Sequence, residues 1–315
     1  MKTDHSTVRT QPEHEQGDAS SLTPSQTILQ QYLLFANAHK ENFFSWGWAT
    51  LIACFIAGRG FPAPMPTLLS LAAVLAITSS VYIYNDVTDA EADKLNPKKC
   101  NRPLPSGYIP QEDAMRLVYF TGAGGVILSL FLNRVSFVMC MVYLFLFAIY
   151  SHPSVHLKKR FIVKELTVAS GYILTSLIAG FAVAGTFQPT VVYAGLFYFF
   201  FSFMGMPAFH DITDVKEDEI YGIRTMAIVF SWRRKVQMLM VFILAVMTLT
   251  PFTYMRFGFN AALPIVVVAM GLVVLRYLVP LSAAFEQTLF LKTRKISYVY
   301  YILIHVAFVV ATLKL

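Results

Sequence analysis

Residues 68–93 read LLSLAAVLAITSSVYIYNDVTDAEAD. Leu68–Tyr84 carries no charge, and the residues that follow Asn85 include Asp86, Asp89, Glu91 and Asp93. An apolar run of this length covers most of the ~30 Å hydrocarbon layer as a helix. The switch to carboxylates marks where that helix leaves the lipid. Eight further runs repeat the apolar pattern: Phe44–Gly60, Leu117–Leu132, Val135–Tyr150, Leu166–Phe187, Thr190–Phe209, Val236–Met255, Ala262–Pro280 and Ser297–Leu313. All are continuous rather than alternating, which excludes a transmembrane barrel. The chain therefore reads as an all-α, multi-pass membrane protein with nine transmembrane helices, the third and fourth divided at Asn133-Arg134.

Composition agrees. Of 315 residues, 56% are hydrophobic and 14% charged, against ~25% charged in soluble domains. The net charge of +7 does not point to nucleic acid, because the basic residues follow the membrane. With the N-terminus cytoplasmic, 20 of the 25 Lys and Arg fall on that side, and only Arg59, Arg134, Arg256 and Lys314 on the other. None of the 18 acidic residues lies in an outer loop. The chemistry is thus expected on the cytoplasmic face. Cys54, Cys100 and Cys140 lack metal-ligand spacing and read as packing residues. Residues 1–26 form a polar leader predicted to be disordered, and residues 27–315 one transmembrane domain. The spacing of Ile28-Leu29 and Tyr32-Leu33-Leu34-Phe35 predicts an amphipathic helix on the membrane surface ahead of the first span.

Two segments share one pattern. Asp86, Asp89 and Asp93 follow the second run, and Asp211, Asp214 and Asp218 follow the sixth, both as D-x-x-D-x-x-x-D. At ~100° per residue, positions i, i+3 and i+7 lie within an arc of ~60°, so each triplet lines a helical stripe ~10 Å long. Three like charges on one stripe repel unless neutralised. The natural neutraliser is Mg²⁺, which takes oxygen ligands and is held by carboxylates together with substrate phosphates. Two stripes facing one cavity would grip a diphosphate through bridging metal.

Cationic residues surround both motifs. Arg102 leads the rigid turn Pro103-Leu104-Pro105-Ser106-Gly107, Lys158 follows Tyr150-Ser151 after a short Pro-containing link, and Arg224 ends Tyr221-Gly222-Ile223. Guanidinium and ammonium groups there suit phosphate oxygens and a departing diphosphate. His210 is a candidate general base. Phe197-Tyr198-Phe199-Phe200-Phe201-Ser202-Phe203 is expected to supply an aromatic wall. Gly122, Gly124, Gly125, Gly171, Gly180 and Gly185 are expected at close helix contacts.

The chain resembles the UbiA superfamily of intramembrane prenyltransferases in Asn85-Asp86-x-x-Asp89-x-x-x-Asp93, in Arg102-Pro103-Leu104-Pro105-Ser106-Gly107, in the Tyr150-Ser151 to Leu157-Lys158 link, and in Asp211-x-x-Asp214-x-x-x-Asp218 with Tyr221-Gly222-Ile223-Arg224-Thr225. The resemblance implies nine helices around a central cavity open to lipid, with an isoprenoid diphosphate and Mg²⁺ between the motifs. Asn85, Asp86, Asp89 and Asp93 would be one metal and diphosphate cluster and Asp211, Asp214 and Asp218 the other, with Arg102, Lys158 and Tyr150 at the diphosphate. The eight-residue step from Tyr150 to Lys158 and Gly222-Ile223-Arg224-Thr225 are similar to enzymes that prenylate archaeal glycerolipid ethers, chlorophyllide or homogentisate. Leu95–Asn101 is more like enzymes that attach phosphoribose to decaprenyl phosphate or elongate carotenoids, and His210 stands where the first groups place Lys.

The expected activity is transfer of an isoprenoid chain from its diphosphate to a lipophilic acceptor, an aromatic quinone precursor or a glycerolipid. A UbiA-type terpene cyclase would use the same diphosphate site. A secondary transporter fits less well, because it would place ionisable residues near mid-span.

Overall fold

The computed structural model describes residues 27–97, 99–209 and 224–313, so the polar leader lies outside the described residues. All regular structure among them is helical. Ten helices carry the fold: α1 Ile28–Ala38, α2 Lys40–Ala57, α3 Pro64–Lys94, α4 Gln111–Leu130, α5 Arg134–Ser151, α6 Val163–Ala184, α7 Pro189–Phe209, α8 Trp232–Thr253, α9 Ala262–Ala283 and α10 Gln287–Thr312. Each of α2 to α10 coincides with one of the nine apolar runs. Seven of them, α3 and α5 to α10, are long and apolar enough to cross a membrane. The other two begin with charge, Lys40-Glu41 in α2 and Glu112-Asp113 in α4, which shortens their apolar part. This chain is an integral, multi-pass membrane protein.

The division at Asn133-Arg134 has a physical cause. The Asn133 side chain caps α5 by accepting from Ser136 N at 2.9 Å, and its amide donates to the Phe181 carbonyl. Ser136 Oγ donates to the Ile178 carbonyl at 2.9 Å, so the start of α5 is fastened to α6. Helix α3 packs along α4, α6 against α2, α5 and α7, and α8, α9 and α10 follow in sequence until α10 returns to α2. Four of the six glycines singled out above sit at these contacts. A Cβ on Gly125 would come within 2.6 Å of Ile77, on Gly171 within 2.5 Å of Trp46, on Gly122 within 2.9 Å of Ser80 and on Gly180 within 2.9 Å of Val191. Gly124 and Gly185 meet nothing within 4 Å; Gly185 instead ends α6 at φ +72°.

Helix α1 is separate from α2, and its N-terminus is closed by a capping box between Thr27 and Gln30. Its environment differs from the surface-lying helix expected. Phe35 is fully buried with Ile83, Val87, Leu104, Ile109 and Leu117. Tyr32 Oη meets Ser79 Oγ at 3.1 Å, and Gln31 donates to Asp113 at 3.1 Å. One face of α1 is therefore clamped onto α3 and α4, while Ile28, Leu29 and Leu33 stay exposed. The docked helix ends at Ala38 and brings its C-cap residue, His39, to the Asp-bearing end of α3.

Candidate active site

The helical pitch of α3 continues through Lys94, so Asn85, Asp86, Asp89 and Asp93 project from an intact helix. Asp86 is 2% exposed and Asp93 6%. A carboxylate buried to this degree requires compensation, and each has it. His39 Nε2 lies 2.7 Å from Asp86 Oδ2, the shortest contact to that residue. Arg102 Nη1 stands 3.5 Å from Asp86 Oδ1 and 3.6 Å from Asp93 Oδ2, bridging the two at ion-pair rather than hydrogen-bond distance. Lys99 Nζ is 3.9 Å from Asp93 Oδ1. The turn expected after Arg102 is real. Backbone bonds Ser106 N to Arg102 O and Ile109 N to Pro103 O, both 3.0 Å, close it, and buried Leu104 and Ile109 fasten it to the core beside Phe35.

Lys158 approaches from the loop between α5 and α6. Its ammonium donates to Asp89 Oδ1 at 2.6 Å, Asn85 Oδ1 at 3.1 Å and Thr88 Oγ1 at 3.3 Å, and Ser151 Oγ donates to Asn85 Oδ1 at 2.8 Å. Tyr150 precedes Ser151 at the end of α5. The loop holds Lys158 in a single helical turn between two residues at positive φ, His156 at +45° and Ile162 at +66°. Such conformations cost about 1–3 kcal/mol each and persist where the surroundings enforce them. Burial pushes the Lys158 ammonium below the usual lysine range, and the Asp89 charge opposes that push. Burial, then Lys159 and Lys158, likewise lower His156.

His210, Asp211, Asp214 and Asp218 lie outside the described residues. The chain on either side of them is placed: Phe209 ends α7 against Phe290 at the start of α10, and past the segment Glu165 Oε1, at the start of α6, accepts from Met226 N at 2.6 Å. Arg224 is exposed, and no ion pair reaches it among the described residues.

Among the described residues no three His, Cys, Asp or Glu converge as a metal site. The ~10 Å length of the stripe accounts for this, since ligands from a second element must complete it. What α3 offers fits a hard cation. All three acids supply oxygen, and Asp86 Oδ1 is buried without a hydrogen-bond partner among the described residues.

Two features escaped the sequence reading. One is His39, 47 residues from Asp86, whose only signal is its place at the joint between the docked helix and the first apolar run. The other is the aromatic cluster next to the carboxylates. Tyr82 lies 5.1 Å from the His39 ring and accepts from Trp46 Nε1 at 3.1 Å; Trp46 stacks on Tyr172 at 4.6 Å. The expected wall of residues 197–203 divides instead: Phe197 and Phe201 pack into the core with Phe242 and Tyr300, while Phe200 is exposed.

The UbiA prenyltransferase family model matches residues 47–311. The chain belongs to that family. A digeranylgeranylglyceryl phosphate synthase of Sulfurisphaera tokodaii is 33% identical over 62% of this chain and 69% of its own length. A lycopene elongase/hydratase of Haloferax volcanii is 32% identical over 53% and 54%. Among solved structures, a digeranylgeranylglyceryl phosphate synthase superposes with TM-score 0.70 at 18% identity, over 91% of this chain and 99% of that one. A UbiA homologue from Archaeoglobus fulgidus bound to GPP and Mg²⁺ does so with TM-score 0.64 at 15% identity, over 89% and 99%. These structures share the fold, and this UbiA family member is a prenyltransferase.

Proposed function

We propose that this UbiA prenyltransferase moves an isoprenoid chain from its diphosphate to a lipophilic acceptor, with a glycerolipid the acceptor its relatives favour. The observation that carries the proposal is the set of acids on α3, Asp86 and Asp93 buried and Asp89 half-buried, each faced by a cation from another element. Asp86, Asp89 and Asp93, with Asn85 beside them, would hold Mg²⁺ together with Asp211, Asp214 and Asp218. When bound, the metal supplies positive charge to the leaving diphosphate. Arg102 and Lys158, already fixed by their loops, add two cations at the same place, and Tyr150 and Arg224 would join them at the diphosphate. The allylic C–O bond breaks with its electron pair on the diphosphate, the acceptor forms the new bond at that carbon, and its proton passes to a base, for which His210 stands ready. Tyr82, half-buried beside His39 and backed by the buried Trp46 and Tyr172, would offer a ring that shields a cationic carbon from water. Nine spans, with α2 and α4 completing the seven longer ones, would place these groups at the cytoplasmic end, as the distribution of Lys and Arg requires.

The test is product analysis by mass spectrometry. Purified protein in lipid, given Mg²⁺ and prenyl diphosphates of several lengths, is offered an isoprenyl glyceryl phosphate, a polyene or a hydroxybenzoate. A prenylated glycerolipid is expected, formed only with Mg²⁺. Cyclic hydrocarbon without acceptor would instead establish a cyclase.

A further inference from the structure

At the opposite end of the bundle, a cavity of about 200 Å³ opens where α2 ends, α7 begins and α8 and α10 finish. That is several times the ~30 Å³ share of one water. Arg59, Arg256, Gln188 and Thr190 are among its lining residues. No ion pair or side-chain hydrogen bond engages either arginine among the described residues. The segments that form the rim, 58–63, 184–190 and 253–262, contain no Asp or Glu. Helix α7 starts at Pro189 on the wall, adding the partial positive charge of a 21-residue helix N-terminus.

The backbone places Arg59 at the rim by a tight turn. Arg59 sits at φ +49° between two glycines. The turn is wound by Gly58 N to Cys54 O at 2.8 Å, Arg59 N to Ile56 O at 3.1 Å and Gly60 N to Phe55 O at 2.8 Å. Gly or Asn takes that conformation with less strain, so local folding does not explain an arginine there. Two exposed arginines from different elements, lining one cavity without acids beside them among the described residues, suit a group with several acceptor oxygens and negative charge.

We propose that this cavity binds a phosphate group, either the phosphate ester of a lipid headgroup or free phosphate. The site is separate from the prenyl-transfer chemistry, so it stands or falls independently of it. The test measures thermal unfolding of the full-length protein in phosphatidylcholine nanodiscs, with either increasing phosphatidylglycerol or increasing inorganic phosphate. Wild type is compared with Arg59→Gly and Arg256→Gln. Stabilisation of wild type by phosphatidylglycerol, with the half-saturating amount raised at least about tenfold in both variants, identifies a headgroup. The same pattern with inorganic phosphate identifies the free ion. Arg59→Gly relieves the strained φ, so it should melt no lower than wild type without ligand, and a lost response cannot then be ascribed to misfolding. Responses equal in all three proteins in both arms would overturn the proposal.

Discussion

At the end of the bundle that carries Asp86, acid and base are interleaved: Arg102 spans Asp86 and Asp93, Lys158 holds Asp89, and His39 holds Asp86 from the side. At the other end Arg59 and Arg256 face a cavity whose rim segments contain no acid. The same bundle thus keeps one cluster nearly neutral and leaves the other uncompensated. A neutral cluster can be buried deeply, as 2% exposure at Asp86 requires, and it stays ordered before substrate arrives. An uncompensated pair stays at the surface and gains most from a ligand that brings its own negative charge. Substitutions at the first end should therefore alter chemistry and stability together, and at the second only the response to anions.

The largest effect is expected for Asp86→Ala. It removes the acid that His39 and Arg102 share, and with it a buried carboxylate oxygen that has no hydrogen-bond partner among the described residues. Turnover should fall by about 10²–10³-fold or more, and unfolding free energy by about 1–3 kcal/mol, because two cationic or polar groups lose their partner. Full activity in membranes of normal protein content would break the comparison. Lys158→Ala comes next. It strands Asp89 and empties the three-acceptor contact of the α5–α6 loop. A fall in kcat of about 10²-fold should accompany protease sensitivity at residues 152–162, read by limited proteolysis.

The long helices were legible because charge changes abruptly at their ends and because Asn133, a residue that caps helices well, lies between two runs that would otherwise merge. The stripe on α3 was legible because i, i+3 and i+7 spacing survives only if the helix continues, and it does. Arg102 and Lys158 were readable from the turn and link that carry them. His39 was not, since its role depends on α1 docking through Phe35, Gln31 and Tyr32, contacts that no local pattern encodes. The aromatic surface was sought in residues 197–203 because rings are dense there. Density does not say which face looks inward, and Trp46 is inward because Gly171 leaves room for it.

The contact that escaped the sequence gives a smaller and more discriminating prediction. If His39 fixes Asp86 through its Nε2, then His39→Ala should weaken metal binding without removing any ligand, by about 10–100-fold, the usual effect of losing a hydrogen bond that orients a ligand. His39→Gln, which keeps a donor, should recover much of it. Mn²⁺ binding followed by electron paramagnetic resonance in the absence of substrate reads this directly, apart from turnover. A purely structural role for His39 in seating α1 would lower the melting temperature of both variants and leave the metal affinity of the folded fraction unchanged. Arg224→Ala should have the smallest effect of the series. Its side chain is exposed and unpaired among the described residues, so in the proposed role it would add only one screened cation to the diphosphate. A severalfold rise in KM with kcat preserved is the expected result, and a loss as deep as that of Asp86→Ala would mean that Arg224 folds into the site with the second carboxylate motif.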